Sequence, residues 1–86
     1  MKHTVDLLNE AFDLAKMVGF EVRREWLGEK VGGACRLGDR WILFSDLSLT
    51  AEDQLSQVIA ALRDYPHLPQ KFRASPQLRQ LLELAD

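Results

Sequence analysis

Residues 41–44 read Trp-Ile-Leu-Phe, four large apolar side chains in succession. Successive side chains of a strand point to opposite faces, so a strand with this pattern must be covered on both. It belongs in the middle of a sheet. The chain has 86 residues, enough for one domain over residues 1–86 with one core to provide that cover. A chain of this size removes only roughly 60–65% of its unfolded surface from water, and the stability expected is about 5–8 kcal/mol.

The segments around this strand supply its partners. Immediately before it, Gly38-Asp39 suits a two-residue turn with glycine first, joining an arm at Ala34–Leu37 to an arm at Arg40–Ser45. Further upstream, FEVRREWL at 20–27 alternates, with Phe20, Val22 and Arg24 on one face and Glu21, Arg23 and Glu25 on the other. That pattern predicts a half-buried strand ending before Gly28. Helices flank the strands. Over residues 4–18, Val5, Leu8, Phe12 and Ala15 form one stripe, with Thr4 as N-cap and Gly19 just past the end. Thr50 caps a second helix, in which Leu55, Val58, Ile59 and Leu62 recur at helical spacing. Pro66 and Pro69 end that helix. Ser75-Pro76 opens a third, with a stripe of Leu78, Leu81, Leu82 and Ala85. The expected order is α-β-β-β-α-α. The fold class expected from it is α+β, a two-layer sandwich with a three-stranded antiparallel sheet.

Composition bounds function. Apolar residues make up 47% and charged residues 28%, as in ordinary globular domains. The one cysteine, Cys35, allows no disulfide within the chain, and one Cys with two His cannot build a zinc cluster. His3 lies near the start and His67 between prolines, neither with a ligand partner at a telling spacing. The start carries acidic residues where a signal peptide needs an apolar core, and no run is long enough to span a membrane. A cytoplasmic protein is expected, with no membrane partner, no metal and no cofactor. Net charge is −2, and the segments 1–19, 20–46, 47–65 and 66–86 carry −1, 0, −2 and +1. Without a basic block, nucleic acid is not an expected partner.

The order helix, three antiparallel strands, helix resembles that of double-stranded RNA-binding domains. That family grips phosphate with lysines where its second helix starts, and here that start reads TAEDQL, which would repel them. Residues 41–65 also resemble the strand-turn-helix of ImmA/IrrE-type zinc metallopeptidases: a strand ending in Asp, a Leu-Ser turn, then an acidic-Gln helix start. The family's His-Glu-x-x-His would fall near Ala61, Leu62 and Tyr65, none of which can bind zinc or activate water. The resemblance implies a shared scaffold without the metal, and no catalytic residue.

Two sets of residues could carry function. Cys35 in GGACR has Arg36 beside it to favour a thiolate, though its place beside Leu37 and Trp41 argues for a small core residue. The glycines around it lack the Gly-Lys-Ser/Thr ending of a phosphate loop. Arg23, Arg24, Arg36 and Arg40 alternate with Glu21, Glu25 and Asp39, which suggests cross-strand ion pairs. Arg24, Trp26, Arg36, Arg40 and Trp41 could instead form a recognition patch, since Arg and Trp are enriched at binding hot spots. The function expected is non-enzymatic: contact with a protein partner or a homodimer. The alternatives are a metal-free peptidase relative, a Cys35-dependent enzyme and an RNA-binding-like domain.

Overall fold

Helix α1 spans Thr4–Val18, strands β1, β2 and β3 span Phe20–Glu25, Gly33–Leu37 and Arg40–Asp46, and helices α2 and α3 span Ala51–Asp64 and Pro76–Leu81. The computed structural model describes residues 3–28, 32–69 and 71–82. Ala85, expected on the stripe of the last helix, lies outside the described residues. The fold is α+β with one three-stranded sheet.

The sheet corrects the antiparallel expectation. Its order is β1-β3-β2, with β1 parallel to β3 and β2 antiparallel to it. The reason lies in which strand needs two neighbours. Trp41 to Phe44 is apolar on both faces and takes the centre, where Ile42 and Leu43 are buried. β2 and β1 are left as edges. Residues 26–32 then join the end of β1 to the start of β2. Gly33 of β2 faces Phe44 and Glu25 of β1 faces Asp46, so both lie at the C-terminal end of β3. The link therefore has only the width of the central strand to cross, roughly 10 Å between the two edges. A link of this length suits a β1 that runs the same way as β3, which leaves it only that width to cross.

Alternation assigns the faces. Phe20 and Val22 of β1 join Trp41 and Leu43 of β3 against the helices, in one core with Leu8, Phe12, Val58, Leu62, Tyr65 and Leu78. Glu21, Arg23 and Glu25 fall on the other face with Ile42, Phe44, Cys35 and Leu37. Arg23 pairs with Glu25 at 3.0 Å within its strand, and Arg40 pairs with Glu21 across strands. These pairs are exposed and add little stability.

The helix termini follow local chemistry. The N-cap of α1 is His3, without a side-chain bond, and Thr4 is already helical. Gly19 ends α1 at φ 122°, its N–H reaching back to the Ala15 and Lys16 carbonyls. A Cβ at Gly19 would lie 2.7 Å from the Tyr65 hydroxyl oxygen, and that hydroxyl donates to the Val18 carbonyl at 3.0 Å. Thr50 Oγ1 accepts from the Asp53 N–H at the start of α2. Ser75 accepts from the Leu78 N–H while Glu10 of α1 accepts from both its N–H and its hydroxyl. That carboxylate ties α3 to α1.

Candidate functional site

β2 is the least covered element of the sheet. Ala34, Cys35, Arg36 and Leu37 are all exposed, and only Gly33 is partly covered. Its sequence explains this. GACRL offers no pair of bulky apolar side chains on either face, so it cannot hold a second layer as β3 does. Cys35, expected in the core, is exposed. It lies on the face away from the helices, on an edge strand, opposite Ile42.

The turn sets the phase of β2's backbone. Gly38 takes φ 64° in a two-residue turn closed by Leu37 and Arg40. The closing pair of such a hairpin exchanges both backbone hydrogen bonds, and such pairs alternate along an antiparallel ladder. Cys35 and Gly33 therefore bond to Ile42 and Phe44. The N–H and C=O groups of Ala34 and Arg36 point outward, away from β3. Among the described residues they form a row of unpaired donors and acceptors of the kind that receives another strand.

Beside this edge, between β2 and α2, lies a cleft of about 360 Å³ lined by Gly32, Gly33, Ala34, Gln57, Ala60, Ala61 and Asp64. Its walls are small residues, with polar groups from Gln57 and Asp64. Gly32 is needed here, because a Cβ would meet both Gln57 Oε1 and the Phe44 carbonyl oxygen at 3.0 Å. Among the described residues, Gln57 Oε1 is buried without a hydrogen-bond partner. An acceptor in that condition costs free energy until a donor reaches it.

The five patch residues do not gather at one place. Arg24, on the helix-side face, stacks over Phe12 at 4.6 Å. Arg36 stands on the same face over Trp41 at 5.9 Å, and its Nε donates to the Gly38 carbonyl at 2.7 Å. Trp41 packs edge-on against Phe20, Tyr65 and His67. Arg40 is on the opposite face with Glu21. Trp26 lies beyond the end of β1 and is 74% exposed. Arg36 and Trp41 remain neighbours at β2, and His67 joins their ring cluster.

Asp46, Gln54 and Gln57 were not singled out by sequence reasoning. Asp46 accepts from the Ser48 N–H and hydroxyl and from the Leu27 N–H. The Ser48 bonds, backbone first, and the Leu27 N–H hold its carboxyl below the usual range against the opposing effect of burial. The Asp-x-Ser spacing is an Asx-turn signature and was the available signal. Arg40 likewise lowers the pKa of Glu21, chiefly through their hydrogen bond. Gln54 accepts from Ser45 Oγ at 3.4 Å and donates to the Leu49 carbonyl at 3.0 Å, and Gln57 supplies the orphan acceptor of the cleft.

Ala61, Leu62 and Tyr65, where the peptidase resemblance would put its ligands, are buried core side chains. Among the described residues no three His, Cys, Asp or Glu side chains gather where one metal ion could be held. No helix there is long and apolar enough to cross a membrane. The mixed sheet also departs from the antiparallel arrangement on which the RNA-binding likeness rested. The chain matches no family model, no curated protein and no solved structure.

Proposed function

We propose that this chain is a non-enzymatic interaction domain that receives a strand from a protein partner along β2. The reading rests on the exposure of Ala34 to Leu37 with backbone groups directed outward. In this reading the helices make one layer and the sheet the other, in a body 16 Å along its shortest axis. The edge of β2 is then the place where backbone hydrogen bonds supply affinity and the neighbouring cleft supplies selectivity. A reducing compartment such as the cytoplasm suits a surface that presents the Cys35 thiol.

The test is capture in the native cell. A benzophenone amino acid in place of Leu37 is expected to form covalent adducts with protein, whereas the same residue in place of Asp13, exposed on α1, forms none. Absence of adducts from position 37 would sink the proposal.

A further inference from the structure

We infer that the partner strand is β2 of a second copy, paired antiparallel about a two-fold axis through Cys35; this rests on the strand-addition reading above. The phase of the hairpin restricts the choice. Only Ala34 and Arg36 have outward backbone groups, so each must face an outward residue of the other copy. An axis through Arg36 would set two guanidiniums opposite each other, which is unfavourable. An axis through Ala34 would pair Arg36 with Gly32, beyond the strand. The axis through Cys35 pairs Ala34 with Arg36 of the other copy twice, Gly33 with Leu37 twice, and uses all five residues of β2.

Both faces of that register are complementary. On the helix side, Arg36 of one copy stands opposite Ala34 of the other, at the mouth of the cleft. The cleft offers the Asp64 carboxylate and the unpartnered Gln57 Oε1, and a guanidinium carries five donors. Leaving its own site costs Arg36 only an exposed bond to Gly38 and a distant ring contact. On the other face, Leu37, 53% exposed, falls opposite Gly33, whose in-register neighbour on β3 is the half-buried Phe44. A side chain lacking on Gly33 is thus supplied by Leu37. The two Cys35 residues become a non-hydrogen-bonded pair, with Cα atoms about 4.5 Å apart, within disulfide reach.

The experiment measures mass by light scattering over a wide concentration range. A rise to about twice the 9.8 kDa of the chain is expected. Diamide should then link the copies: two Cys35 thiols give two electrons and two protons to diamide, which becomes its hydrazine, and one S–S bond forms. Arg36→Glu and Asp64→Arg should each raise the dissociation constant on the order of tenfold, and the double variant should restore most of it. Both positions are exposed, and far-UV circular dichroism checks that each variant is folded. A monomer at every concentration, or a dimer indifferent to both substitutions, would overturn the inference. If the purified chain is monomeric but position 37 captures a different protein in cells, the second-copy inference falls and the strand-addition reading stands. If it captures nothing, both fall.

Discussion

Gly19 and Tyr65 show how closely single residues are committed here. Gly19 is held at positive φ and pressed against the Tyr65 hydroxyl, so alanine meets two objections at once. Gly19→Ala should destabilise by about 1–3 kcal/mol from the backbone conformation alone. Tyr65→Phe should cost about 1 kcal/mol through loss of the bond to the Val18 carbonyl. Removing the hydroxyl from the Gly19→Ala background should cost less than from wild type, because it also relieves the contact. Urea melts of the four proteins check this. Gly19 was legible in the sequence as a helix terminator, whereas its second role was not. The Tyr65 contact joins residues 47 positions apart, and nothing local announces it. Cys35 misled for a related reason: a place beside Leu37 and Trp41 describes a core as readily as an exposed edge.

At the scale of elements, local chemistry carried most of the information. The second and third helices begin where Thr50 and Ser75 place them, and the hairpin turns at Gly38. Ser75→Ala should cost about 1 kcal/mol and loosen α3 from α1, seen as faster hydrogen exchange at Leu78 than at Leu62. The end of β3 is pH-sensitive through Asp46. Its folded-state pKa is lowered, so the unfolded chain binds more protons between the folded and unfolded values. Stability from this carboxylate is full above the unfolded value and is lost as pH falls through the folded one. Asp46→Asn, which keeps an acceptor but does not titrate, should flatten that part of the profile in urea midpoints taken over roughly pH 2–6. In β2 the amides of Ala34 and Arg36 should exchange rapidly in dilute solution while that of Cys35 is protected. The reverse order would mean that the hairpin has the other phase and that the proposed pairing register is wrong.

For the whole molecule, β3 is the element everything else is arranged around. Leu43, fully buried in the core, should cost about 3 kcal/mol as alanine, a large share of the 5–8 kcal/mol expected for a chain of this size. Thermal or urea unfolding measures it. That β3 is central could be read from its apolar run. With three strands that alone puts β1 and β2 at the edges. The direction of β1 could not be read, because a parallel and an antiparallel β1 bury the same residues of β3, and which of the two forms is decided in three dimensions. The candidate interaction surface was legible in part. Arg36 and Trp41 do meet beside β2, but Arg40 is carried to the opposite face by the pleat and Trp26 lies past the end of its strand.

The parallel pairing of β1 with β3 has a consequence for how the protein is made. Phe20 pairs with Trp41 and Glu25 with Asp46, a constant offset of 21 positions. The β2–β3 hairpin closes through two residues and can form as soon as both arms exist. β1 is synthesised before either and has no partner until β3 emerges from the ribosome. Over that interval a nascent chain exposes α1's apolar stripe and an unpaired strand, and neighbouring nascent chains on one messenger carry the same unpaired strand. A pause with β1 outside the ribosome and β3 still inside therefore lengthens the exposure. A pause with β3 also outside lets the sheet close.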